Sequence, residues 1–189
     1  MKKLLIILFL WPSLCWGMED LIEWDNLCYL HNRYIEPVHV DLDDPRLLLI
    51  PTICPVLGDV YITSGKGPRT RPIRGASRNH KGIDIGCHRE NREVVAPGGG
   101  VVVFAGATRG GYGNRIMIRH TDRILTSYGH LKNIHVKPGD VVKRWDRIGT
   151  VGSTGISTGE HLDYIIYVDG KPVDPEDWID VELPYKYRI

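Results

Sequence analysis

The chain has 189 residues, 25% of them charged, and a formal net charge of +1. That length holds one domain with an appendage and can bury a sizeable core. The near balance of charge gives no global case for nucleic acid as a partner.

The first residues read as an export signal over 1–17. Lys2 and Lys3 form a positive start, Leu4 to Trp11 is apolar, and Pro12 ends the run. The run is too short to span a bilayer, so no stable membrane insertion is expected. Cys15 and Gly17 are the small residues before a cut that leaves Met18 first. A lipidated Cys15 is disfavoured because Leu14 is a poor residue ahead of such a cysteine. Export places the mature chain in a periplasm or the medium and permits disulfides. Three cysteines follow the cut, Cys28, Cys54 and Cys87. They allow a Cys28–Cys54 bridge or three reduced, buried thiols.

An acidic extension over 18–50 comes next, with eight acids against two bases. Leu21, Ile22, Leu27 and Leu30 make a partial apolar stripe, which predicts a helix between Met18 and Arg33. Opposite charge predicts that this extension packs across the more basic remainder.

From Pro51 to about residue 180 short β-rich runs alternate with turn signals, and the expected class is all-β. The predicted strands are "DVYITSG", "GIDIG", "VVVFAGA", "RIMIRH" paired with "RILTSYGH" across "TD", the "VKPGDVVKRWDRIGTVG" stretch, and "HLDYIIYV" running to an Asp169-Gly170 turn. "APGGG" reads as a turn needing open backbone angles. "DPEDW" opens a short last helical turn, and 181–189 is a tail.

Chemistry concentrates on a few of these strands. Strand side chains alternate faces, so His161 and Asp163 point one way while Leu162 and Tyr164 point the other. His80 and Asp84, four apart in "NHKGIDIG", return to one face, with Gly82 leaving room between them. His80, Asp84 and Asp163 offer one nitrogen and two oxygens, a donor set that Zn²⁺ accepts. His130, ending "SYGH", and His161 could supply a base for a water and donors for an oxyanion. His88, His120 and His135 lie outside this pattern and read as surface or structural histidines. Cys87 falls on the face opposite Asp84 and reads as packing. Tyr61 to Lys81 holds six Lys or Arg and no acid, either a solvated loop or a groove wall for anionic substrate.

Taken in order, "ITSGKGPRTRPIRG", "HKGIDIG", "VVAPGGGVVVFAG", "GGYGNRIMIRH", "TSYGHL", "VKPGDVVKRWDRIGTVGSTGISTGEHLDY" and "DGKPVDPEDW" resemble the lysostaphin and LytM type of zinc endopeptidase, over about Asp59 to Asp177. The resemblance implies a compact antiparallel β domain, of duplicated-hybrid-like barrel or sandwich form, with a metal at the floor of a groove. It implies cleavage of peptides in bacterial peptidoglycan. His80 and Asp84 then match two zinc ligands, and His130 and His161 two catalytic histidines. The third ligand, a histidine in that family, falls on Asp163. Two readings follow. Asp163 is a ligand that places an oxygen near where a histidine Nδ1 would stand, or it marks a module that has lost catalysis and binds peptidoglycan or regulates a cell-wall amidase. Trp145 stands where the family has glycine.

Overall fold

The structure is a computed structural model. It describes residues 48–70, 75–88, 92–109 and 111–179, together with two short strands, Cys28–Leu30 and Arg33–Ile35. The export signal, most of the acidic extension and the 181–189 tail lie outside the described residues, as does the expectation that the extension packs across the domain. The chain divides into two compact units, 1–47 and 48–189.

In the first unit, β1 (Cys28–Leu30) pairs antiparallel with β2 (Arg33–Ile35), Tyr29 opposite Tyr34. At Cys28–Leu30 and Arg33 this corrects the helix expected between Met18 and Arg33, the rest of which lies outside the described residues. The apolar stripe suited either period, and the aromatic and β-branched residues of Tyr29, Tyr34 and Ile35 favour a pleated pair.

The second unit is nearly all β, as the turn-punctuated pattern predicts. Its strands are β3 (Val60–Ser64), β4 (Gly67–Pro68), β5 (Asn79–His80), β6 (Ile83–Cys87), β7 (Glu93–Val95), β8 (Gly100–Ala107), β9 (Asn114–Arg119), β10 (Ile124–Leu131), β11 (Asn133–Ile134), β12 (Val141–Val142), β13 (Arg147–Thr150), β14 (His161–Val168) and β15 (Lys171–Val173). The main sheet has the order β12-β8-β9-β10-β14-β6-β3, with β15 added beside β14. Every pairing in it is antiparallel. A smaller sheet runs β11-β13-β7, and β4 with β5 forms a two-stranded ribbon. No described helix is long and apolar enough to cross a membrane.

Alternation sorts the main sheet into two faces. Ile83 and Ile85, Ile116 and Ile118, Tyr128, Leu162, Tyr164 and Ile166 all point inward and are fully buried. They pack with Val94, Ile148 and Val151 from the smaller sheet region. Burial of each large side chain contributes about 1.5–3 kcal/mol. The opposite face carries Asp84, Asp163, Ser127, Met117 and Arg119, which the registers set side by side. The β14–β15 turn has positive φ at both Asp169 (51°) and Gly170 (73°), the hairpin geometry that Asp-Gly suits. Asp174 caps the last helical turn, Pro175–Asp177, by accepting a hydrogen bond from Glu176 N–H at 3.1 Å.

Two local expectations are corrected. Gly82 does not open space for a ligand: a Cβ there would stand 2.0 Å from the Tyr164 carbonyl oxygen, so β14 itself fills the gap. Gly98 and Gly100 are needed for close approach rather than for unusual angles, since added Cβ atoms would meet Leu49 O at 2.6 Å and Arg119 O at 2.5 Å. Cys54 is a free thiol inside the core, where burial pushes its pKa up to about 11, and the side chain of Cys28, its proposed partner, lies outside the described residues. Cys87 is also free and packs against the core. Trp145 has φ +76°, which is the backbone reason a glycine would suit that position.

Candidate metal centre

β6 and β14 are adjacent, and their register sets Asp84 directly opposite Asp163. The β4–β5 ribbon delivers His80 to the same place. His80, Asp84 and Asp163 are all buried, and one donor atom from each lies within 4.8 Å of the others. His80 Nε2 stands 3.2 Å from Asp163 Oδ2 and 3.3 Å from Asp84 Oδ1. The far side of the His80 ring is committed: Nδ1–H donates to the Gly65 carbonyl at 3.1 Å. That bond fixes the tautomer and turns the Nε2 lone pair toward the two carboxylates.

Three electron-rich atoms facing one another need positive charge at their centre, either a proton on Nε2 or a metal ion. Asp84 Oδ1 and Asp163 Oδ1 are both buried without a hydrogen-bond partner. Orphaned buried carboxylate oxygens are costly, and a divalent cation would satisfy both at once. One imidazole and two carboxylates fit zinc's ligand preferences and leave a coordination position open. Burial pushes the Asp84 carboxyl above its ordinary range, and Asp163 adds to that; His80, His161 and Arg69 oppose it.

Two more histidines border the cluster. His130 sits at the β10 end with φ +62°, a strained angle for a side chain of its size. Its backbone is held by a 2.7 Å bond from His130 N–H to Tyr112 O, and its ring by Nδ1–H donating to Thr154 O at 2.7 Å. His161 starts β14 and donates from Nδ1–H to Gly159 O at 2.9 Å. Both Nε2 atoms are thereby left available. The rings are tilted by 55° with centroids 4.7 Å apart, and His161 Nε2 is 3.7 Å from Asp84 Oδ1. Burial lowers the His130 pKa, favouring the neutral, basic form. All five sequence-selected residues therefore converge on one small volume.

Sequence reasoning missed the supports. Arg69 pairs through Nη2 with Asp84 Oδ2, and its Nε donates to Ser64 Oγ at 3.3 Å. It was legible only as one member of a basic run. Tyr112 lies over Gly129, opposite Asp163, and nothing in "GGYGN" announces that placement. The carbonyls of Gly65, Thr154 and Gly159 orient the three rings, and a carbonyl has no signature in residue type. His120 is a satisfied structural histidine, bonded to Gly99 O at 2.7 Å and Thr126 Oγ1 at 2.8 Å. His135 Nε2 lies 3.1 Å from Thr150 Oγ1.

The antiparallel β domain thus carries a buried His-Asp-Asp set that could hold a metal ion, flanked by two histidines. The sequence matches Peptidase family M23 over residues 78–175, just over half of the chain, and the chain belongs to that family. It is 42% identical over 123 residues to the DD-carboxypeptidase/endopeptidase Mpg of Neisseria meningitidis, covering 65% of this chain and 27% of that one. It is 41% identical over 137 residues to the murein hydrolase activator NlpD of Salmonella dublin, covering 72% of this chain and 35% of that one. The chain thus spans about a quarter to a third of the length of these curated relatives. The solved catalytic domain of lysostaphin from Staphylococcus simulans superposes with a TM-score of 0.56 at 34% identity, over 61% of this chain and 89% of that one.

Proposed function

We propose that this chain is an exported zinc metalloendopeptidase that hydrolyses peptide bonds in bacterial peptidoglycan, working in a periplasm or outside the cell. The observation that carries the reading is the buried cluster of His80, Asp84 and Asp163, with two orphaned carboxylate oxygens and two oriented histidines beside it. Membership of a peptidase family and the likeness to Mpg support it.

His80 through Nε2, and Asp84 and Asp163 through carboxylate oxygens, would hold the ion. Zinc bound there supplies Lewis-acid chemistry, polarising a water and the scissile carbonyl. The chain's own residues do the rest. With Nδ1–H fixed on carbonyls, the Nε2 atom of one of His130 and His161 accepts the single proton that the attacking water loses, and the other orients that water. Once protonated, that Nε2–H donates to the developing oxyanion and then passes its proton to the leaving amine. The 4.7 Å ring separation lets both act on one reacting carbon. Tight burial keeps bulk water from competing.

A second reading is favoured by the likeness to NlpD and by Asp163 itself: a module without catalysis that binds peptidoglycan and regulates a cell-wall amidase. Incubating purified peptidoglycan with the full chain and counting released amino groups tests the two. The peptidase reading expects release by wild type and a loss of about 10²–10⁴-fold in His130→Ala with zinc retained. No release by zinc-loaded wild type, with stimulation of an added amidase, would replace it with the regulator.

A further inference from the structure

The sheet face that carries the metal cluster does not end there. Along β14, Asp163, Ile165 and Tyr167 alternate onto that face, and the registers place Gly129, Ser127 and Leu125 beside them and Met117 and Arg119 beyond. Asp163 to Tyr167 spans about 13 Å at the strand rise. At the far end an open cavity of about 430 Å³ is lined by Arg115, Arg119, Arg123, Leu125 and Tyr167.

Its charge is uneven. Arg123 is neutralised by Asp169, with Nε to Oδ1 at 2.8 Å. Asp122 is the acid of the lining. Against it stand Arg115 and Arg119, and among the described residues neither has an ion pair. Arg115 is held in place: Nε donates to Ser127 Oγ at 2.8 Å, and its guanidinium lies 4.4 Å from the centre of the Tyr112 ring. Its two outer amino groups stay available. Tyr112 links this arginine to the metal cluster. A Cβ on Gly129 would sit 3.2 Å from the Tyr112 ring and 3.3 Å from Asp163 Cβ. The ground beside Arg119 is apolar: Val101, its register partner on β8, and Val103 are 42% and 37% exposed.

The geometry points to a carboxylate-binding subsite at Arg115 and Arg119, on the sheet face that carries the metal cluster, with Arg119 at the level of Tyr167, about 13 Å along β14 from Asp163. Its ligand is an extended peptide whose small apolar side chains rest on the valines and whose free carboxylate meets the guanidiniums. Guanidinium suits this because it pairs with carboxylate through two parallel hydrogen bonds. The identity of that peptide, a peptidoglycan stem, rests on the function proposed above; the chemistry of the subsite does not.

The test measures binding, separately from hydrolysis. The probes are a synthetic stem tetrapeptide with free carboxylates and the same peptide with those carboxylates amidated, titrated calorimetrically into the full chain at low salt. Wild type should bind the free acid about tenfold more tightly than the amide. Arg119→Gln, a change at an exposed strand end, should erase that preference and leave affinity for the amide unchanged, and Arg115→Lys should reduce it. Equal affinity for both probes, binding of neither, or a preference that survives Arg119→Gln combined with Arg115→Lys would overturn the subsite. A chain that prefers the acid yet releases nothing from peptidoglycan keeps the subsite and loses the peptidase reading. A chain that hydrolyses peptidoglycan with no such preference does the reverse.

Discussion

Asp84 offers Oδ2 to Arg69 and turns Oδ1 toward His80 and His161. The guanidinium therefore occupies one side of the carboxylate, and a metal would find a single oxygen. It also sets one positive charge against two neighbouring carboxylates, which is what allows Asp84 and Asp163 to face each other across strands. Partners of this kind orient ligands and tune their basicity. Arg69→Met is expected to weaken zinc affinity by about ten- to a hundredfold, measured by competition with a chromophoric chelator, with Arg69→Lys in between. An unchanged dissociation constant in Arg69→Met would show that Asp84 needs no such support. The contact was hidden in the sequence because residues 69 and 84 meet only through the β4–β5 ribbon. His161 and Asp163 were legible because strand alternation puts them on one face of β14, whereas His80 reaches Asp84 from the separate β4–β5 ribbon and not along one shared strand.

At the scale of elements, the β9–β10 hairpin is anchored by a polar chain in addition to the apolar packing of Ile116, Ile118 and Tyr128. His120 follows β9, donates from Nδ1–H to Gly99 O just ahead of β8, and accepts at Nε2 from the Thr126 hydroxyl on β10. Tyr128 O–H then donates to Thr126 Oγ1 at 2.7 Å. The arrangement works only for neutral imidazole, and burial pushes the His120 pKa down to about 4. In the unfolded chain His120 takes up its proton near pH 6.5, so the unfolded state binds more protons between the two values and stability falls as pH drops through that window. The cost is about 2 kcal/mol by pH 5. Urea midpoints at pH 7 and pH 5 should show a smaller pH loss in His120→Gln than in wild type; equal losses would mean His120 stays neutral in neither state's favour. The strands themselves were legible from period-2 patterning and turn residues. The β1–β2 pair was not, since three-residue strands leave too short a pattern to separate from a helical stripe. Gly82 was misjudged for a related reason: a glycine marks close approach without saying whether a ligand or another strand approaches.

For the whole molecule, one inward face makes the core and the outward face of the same sheet makes chemistry. Leu162 and Tyr164 bury beside Ile85 and Ile83 while Asp163 and Asp84 between them face out, so the apolar packing that fixes strand register also fixes ligand spacing. A register slip of one residue would turn the carboxylates into the apolar core and break both at once. The open question in the sequence was whether Asp163 is a ligand, and the account depends on the answer. Zinc content by elemental analysis of protein purified without chelators tests it most directly. Wild type should carry stoichiometric zinc, His80→Ala and Asp163→Asn should lose it, and Asp163→His should keep it. A metal-free wild type that gains zinc only as Asp163→His would contradict the account and leave the chain a peptidase fold without its metal.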